Sequence, residues 1–447
     1  MNVAVMKTKA EQALAQAFEA VQAKLPGGAA VKRARASAMG QFGTLGLPHR
    51  RIEEWKYTDL RVALKEAYAP AIDNNVAGRT TVAELIVALG PLAHIDAHRI
   101  AFVNGHCCPN LTDLESADGV EVKPLAGALE AAPEKIAEGL MAATGPGKDA
   151  TIALNTAFMT DGAFVRIAAN TKLDKPLLIV FVRAGRDPLA ATVRNVIVAG
   201  AGSEATILEA HVAVPGSTHD SQTNALTEIT LSDGARVAHI KVAADHGKAV
   251  HLANWNVGLS ADATYAAFQF TSGQGLARNQ IHVTFKGEGS KLDLSGAYLA
   301  RGSEHIDTTL VVDHAVPRCE SRELFKGVLD GNSRGIFQGK IIVRPDAQKT
   351  DGKQMAQALM LSPDAEFDSK PELEIYADDV VCGHGTTSAQ LDEDLMFYCM
   401  SRGIPENEAR ALLIASFIGE ALDKVAHEGI RTALQAYAEE WLSGGQS

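Results

Sequence analysis

A mainly β fold, with a parallel β-helix core flanked by helical regions at both ends, is what this sequence predicts. Three observations carry it. From about Thr151 to Thr386 helical spacing disappears, and short runs rich in Val, Ile, Thr and Leu alternate with Gly, Asp, Asn and Ser, the signal of half-buried strands. Turn-like cores recur as GSEATIL from Gly202, DGARVAH from Asp233, ADATYAA from Ala261 and GSKLDLS from Gly289. They lie about 28–31 residues apart, within the range of stacked supersecondary repeats. Crossover helices are lacking between the runs, which favours a β-helix over a large sandwich. The period is not legible beyond Ser295.

In chain order, Lys7 to Leu25 reads as an amphipathic helix, with Ala10, Leu14, Phe18, Val21 and Leu25 on one stripe. Pro26-Gly27-Gly28 stops it. A second helix is predicted over Ala30 to Phe42. The segment RRIEEWKYTDLR follows, where Trp55 and Tyr57 stand out in a chain with only 5% aromatic residues. It reads as a packing anchor. Ile100 to Gly105 predicts a short strand ending in an Asn-Gly turn, and the adjacent Cys107 and Cys108 read as structural. Leu125 to Met141 reads as helical, divided at Pro133, with a linker over 143–150. Leu177–Val182, Val193–Val198, Ala205–Ala213, Leu226–Leu231, Val237–Val242 and Gln280–Phe285 read as strands. Lys326, Arg334, Gln338 and Lys340 read as the solvent face of strands, and Asp346–Gln357 as a loop. Asp392, Glu393 and Asp394 open a helix that Arg402-Gly403 closes. Pro405 starts the next helix, with Ala409, Leu412, Leu413, Phe417 and Ala421 as its apolar stripe. The expected domains are 1–150, mainly helical; 151–386, the β-helix; and 387–447, helical.

The 447 residues carry a formal net charge of −12. Their Lys and Arg are scattered, so no basic footprint for nucleic acid is present. Five cysteines without a C-x-x-C pair fit a reducing cytoplasm. The first residues, MNVAVMKTKAEQALAQ, lack the apolar stretch of a secretory signal. No window is apolar enough for a transmembrane helix. A G-x-x-x-x-G-K-[ST] phosphate loop is missing, so no ATP site is expected in this chain.

The stretch LEIYADDVVCGHGTTSAQ holds the candidate chemistry. If the chain is extended over Val381 to His384, Cys382 and His384 share one side, about 7 Å apart. A thiol and an imidazole fall short of the four ligands usual for an iron–sulfur cluster or a structural zinc. This is either an ordinary strand end or part of a site completed from elsewhere in the structure or from another chain. His305, Asp307, Asp313, His314 and Cys319 have the atom types of a metal site without a recognised spacing, and read as polar surface or turn residues.

Leu324 to Gly385, LFKGVLDGNSRGIFQGKIIVRPDAQKTDGKQMAQALMLSPDAEFDSKPELEIYADDVVCGHG, resembles the SufB/SufD family of iron–sulfur cluster assembly proteins, on its SufD side. The resemblance continues through SRGIPENEARALLIASFIGEALDKV and returns at RRIEEWKYTDLR. It implies a right-handed parallel β-helix and a non-catalytic scaffold of a SufBCD-type complex. It further implies pairing with a SufB-like β-helix subunit and recruitment of a SufC-like ABC ATPase through the C-terminal helices. Arg402, Gly403, Ile404, Ala409, Leu412, Leu413 and Phe417 are the candidates for that contact. His384 and Cys382 fall where the family places a histidine and cysteine at the subunit interface. They are the candidate ligands of iron or a nascent cluster shared with the partner.

Two alternatives remain on the residues. One is a β-helix enzyme acting on polysaccharide, for which Asp378-Asp379 is the acidic pair nearest the site within the strand. Adjacent strand residues face opposite ways, which counts against it. The other is a metal-free homodimeric structural protein using the same strand edge.

Overall fold

A computed structural model describes residues 7–72, 76–114, 118–131, 149–217, 220–244 and 247–444. Its centre is a solenoid of two facing sheets. The chain alternates between them, so each coil lays one strand on each wall. One sheet has ten strands and the other nine, and each coil pairs in parallel with the next. The ladder is in register over long stretches: Thr264 pairs with Lys291, Lys291 with Glu320, Glu320 with Asp351, and Asp351 with Val381. The repeat therefore continues well past Ser295. At one corner Asn170, Gly202, Gly234, Asp262, Gly289, Arg318 and Lys349 all take positive φ. The first five are residue types suited to that conformation. Arg318 and Lys349 are not, and they hide the period from the sequence.

The segment read as a loop, Asp346–Gln357, contains a strand instead. Asp351–Met360 pairs in register with Glu320–Leu329, and only the corner before it is irregular. The helix Ala150–Phe158, capped by Asp149, lies within the stretch that reads as helix-free. All nine of its residues are buried, so it has no polar stripe to mark it. The expected strand at Ile100 forms as His98–Val103, pairs in parallel with Leu177–Arg183 and ends at Asn104-Gly105. A helix spans Leu125–Ala131; the rest of that reading, with Pro133 and the linker before residue 149, lies outside the described residues.

The interior is apolar for most of its length. Phe181, Trp255, Ile281, Leu294, Leu310, Phe325 and Phe337 belong to one buried cluster. Both outer walls are covered. Helices Lys9–Val21, Ala29–Leu45 and Ala150–Phe158 share a core with Leu252 and Leu276 of the nine-stranded sheet. Helices Val82–Leu89, Glu406–Leu422 and Glu428–Gly444 pack on Val180, Leu208, Phe270, Leu299 and Val328 of the ten-stranded sheet.

That covering changes the reading of the polar strand residues. Arg334 and Lys340 are half-exposed in ion pairs with Asp368 and Glu374. Lys326 and Gln338 are buried, because their outward faces lie under other parts of the chain. The Lys326 ammonium pairs with Glu420 and sits 4.4 Å above the Phe417 ring. Gln338 Nε2 donates to the Glu54 carbonyl at 3.3 Å. Replacing Lys326 with alanine is expected to loosen helix Glu406–Leu422 at a cost of about 2 kcal/mol, for a desolvated cation–π contact and its stem packing. Urea unfolding measures it, and a loss below about 0.5 kcal/mol would contradict the tether.

Candidate functional site at the open end of the solenoid

The last coil is the free end of the stack. Val381–Ala389 pairs with Asp351–Met360 on one side, and Glu366–Ile375 with Arg334–Val343 on one side. No described strand pairs with their other edges. Apolar side chains crowd this end: Val381 is 61% exposed and Tyr376 60%, with Ile375 and Met355 also exposed. Val381–Ala389 carries no Lys, Arg, Asp, Glu or Pro to blunt it, and an unpaired edge of that kind is where another strand adds.

The candidate residues lie on this edge. Residues Val381 to His384 are extended, so Cys382 and His384 share the face that looks into the lumen. Cys382 is half-buried against the interior cluster and His384 is exposed at the mouth. Burial raises the Cys382 thiol above its ordinary value; the Gly352 backbone offsets part of this, and Asp351 and Glu323 add to it. On its own, then, this cysteine is a thiol, and a bound cation would be needed to make it a thiolate.

Behind the pair, one wall of the lumen carries polar side chains for two more coils, set among apolar Phe325, Phe337 and Ile341. Cys382 stands over Gly352 and then Ser321, and His384 over Gln354 and then Glu323. Below these come Leu292 and Leu294, which close the floor. Gln354 is buried and donates from Nε2 to the Gly339 carbonyl at 3.3 Å. A methyl group at Gly339 would stand 2.3 Å from Gln354 Oε1, so only glycine leaves room for that amide.

A second polar zone, around Glu209, lies deeper and is walled off by apolar coils. Glu209 is 2.7 Å from His211 Nε2 and accepts from Thr227 at 2.8 Å. Lys241 Nζ lies 2.9 Å from His251 Nε2, and burial pushes its pKa down to about 8 despite the Glu209 charge.

The other sequence-level candidates scatter. Asp307 pairs with buried Arg278 and Thr58, and His305 Nε2 lies 2.9 Å from Thr58 Oγ1. His314 stacks on Phe285 and hydrogen-bonds Ser321 at 3.1 Å. Asp313 pairs with Arg344, and Cys319 is buried. No group of three or more His, Cys, Asp or Glu among the described residues is placed to hold a metal ion. Asp378 and Asp379 occupy the bend before Val381 rather than a strand, and Asp379 pairs with Lys349.

The C-terminal candidates divide by exposure. Ala409 is fully buried and Phe417 lies under Lys326, so both face the protein's own wall. Leu413 and Ile404 are half-buried, while Leu412 is 53% exposed and Arg402 and Gly403 are exposed. The preceding helix, Glu393–Ser401, has no buried residue at all. It shows Leu395, Phe397, Tyr398 and Met400 to solvent, Phe397 at 71%. No amphipathic stripe is legible there, since the apolar residues are consecutive rather than periodic.

Comparison with known proteins decides the family. The description "SUF system FeS cluster assembly, SufBD core domain" matches residues 181–417, more than half of the chain. The chain belongs to the SufBD family. Residues 8–179 match the SufBD N-terminal region as well. An iron–sulfur cluster assembly SufBD family protein of Synechocystis is 32% identical over 88% of this chain and 86% of its own length. The iron–sulfur cluster assembly protein SufD of Escherichia coli is 29% identical over 90% of each chain. SufD of Bacillus subtilis is 27% identical over 64% of this chain and 65% of its own. In this SufBD chain, the segment Glu53–Thr58 clasps the solenoid wall: Trp55 stacks 3.9 Å from the Arg278 guanidinium, which also donates to the Glu54 carbonyl at 2.6 Å. Among the described residues, no helix is long and apolar enough to cross a membrane.

Proposed function

We propose that this SufBD-family chain is a non-catalytic, cytoplasmic scaffold subunit of a SufBCD-type complex. The observation that carries the reading is the open end of the solenoid, where two strand edges are unpaired, apolar Val381, Ile375 and Tyr376 are exposed, and one edge presents Cys382 and His384. A related β-helix, SufB-like, would extend both sheets there and bring its own ligands to the thiol and imidazole. Two ligands from one side and the remainder from the other meet what iron or a nascent cluster needs. The cluster is cargo in this reading, built at the junction and passed on.

Helix Glu393–Ser401 is the contact for a SufC-like ATPase. Its consecutive aromatic and aliphatic side chains are largely open to solvent, with the Arg402 guanidinium 5.1 Å above the Tyr398 ring, and aromatic anchors of this kind dominate interfaces. Leu412, Arg402, Gly403 and Ile404 extend the surface, while Ala409, Leu413 and Phe417 support the helix behind it. Asp substitutions at Leu395 and Phe397 together are expected to cut ATPase capture by at least about tenfold, the cost of one lost hot spot. The melting temperature should be unchanged, because neither side chain is buried. Capture at wild-type level would move the contact elsewhere.

A further inference from the structure

Among the described residues, Glu323 is the one acidic side chain in the inward column behind His384, set among apolar Phe325, Phe337 and Ile341. It is 3% exposed, and neither carboxyl oxygen makes a well-formed hydrogen bond among the described residues, although the Ser321 hydroxyl is close enough to favour the charged form. Gln354 lies between it and His384, two strand spacings or about 10 Å from end to end. The Gln354 Oε1 is likewise buried without a partner. An isolated charge in such a place is costly.

We propose that Glu323 is an internal counter-charge to the divalent cation held at Cys382 and His384, protonated while the pair is empty and ionised when the cation arrives. This rests on the reading of those two residues as ligands. The balance is simple. A metal–sulfur bond replaces the Cys382 S–H bond, and the Glu323 O–H breaks. Both protons leave through the open mouth, no electron moves, and two new negative charges match the cation's two positive ones.

The surrounding charges leave Glu323 free for this task. On its own strand Arg322 is held by Asp351 at 2.6 Å. On the preceding strand Asp293 pairs with Lys424 at 3.4 Å. On the opposite wall His314 hydrogen-bonds Ser321 and stacks on Phe285. Burial pushes Glu323 up to about 8, with Ser321 and Arg322 opposing and Asp293 adding. Its folded value therefore lies above the unfolded 4.5. The stability it contributes is complete below that value and is lost as pH rises towards 8. Glu323→Gln, which keeps the shape of the protonated acid, should remove that slope.

The test is anaerobic calorimetric titration of the purified complex with Fe(II) at pH 7, repeated in buffers of different ionisation enthalpy to count protons released. Wild type is expected to release about one proton more per iron than Glu323→Gln, since ligand deprotonation itself is common to both. Glu323→Leu, a second variant checked for wild-type circular dichroism, should match Glu323→Gln. Equal proton counts in wild type and variants would overturn the counter-charge and leave the ligand assignment standing. A wild-type complex that takes up no iron, or takes it up as well after His384→Ala, would overturn the assignment and the counter-charge with it.

Discussion

Replacing His384 with alanine should abolish cluster maturation in the assembled complex while leaving the fold and the partner contacts intact. The imidazole is exposed at the last strand, where no further coil rests on it. Its loss should change stability by no more than about 0.5 kcal/mol, as for surface substitutions generally. Loss of groups that merely orient a metal ligand typically costs 10–100-fold. Losing the ligand itself should therefore cost at least about 100-fold in the rate of cluster appearance. Cys382→Ser should fall short of this where the partner supplies a thiolate. The measurement is cluster absorption against time in the purified complex under iron and a sulfide source. Normal maturation in His384→Ala would remove the site.

Arg278→Ala should destabilise the chain by about 3–5 kcal/mol, because it leaves Asp307 as an unpaired charge at a fully buried position. The guanidinium also holds the N-terminal segment to the wall, through the Trp55 face and the Glu54 carbonyl. Release should therefore be visible locally, as faster amide exchange over residues 50–60. The double variant Arg278→Met with Asp307→Leu should recover most of the loss, since an apolar pair of similar volume needs no compensating charge. Urea unfolding of the three variants separates these outcomes. A single-variant loss below about 1 kcal/mol would mean that Asp307 is satisfied by the Thr58 and Thr309 hydroxyls.

Both predictions depend on how much of the molecule its sequence discloses. The solenoid is legible because Gly202, Gly234, Asp262 and Gly289 occupy corner positions with positive φ, and such positions select their residue types. The same corner is occupied by Arg318 and Lys349 further on, and there the period vanishes although the backbone does not change. The C-x-H pair is legible through strand alternation together with the family resemblance. Glu323 and Gln354 are not, because a polar residue in a strand reads as solvent-facing, whereas these two point into the lumen. Lys326 and Gln338 fail differently: they do face outward, but Phe417 and Glu54 cover them. Contacts between residues 50–60 and the strands of the core span more than two hundred positions, and no local pattern encodes them.

The most direct test of the scaffold reading is affinity purification of the tagged chain from its own host under anaerobic conditions, followed by mass spectrometry and visible absorption. The expected eluate contains an ABC-type ATPase and a second β-helix subunit in fixed ratio with this chain, and the complex is brown. A colourless single chain, monomeric or paired with a second copy of itself, would contradict the account and turn the open edge into a homodimer interface.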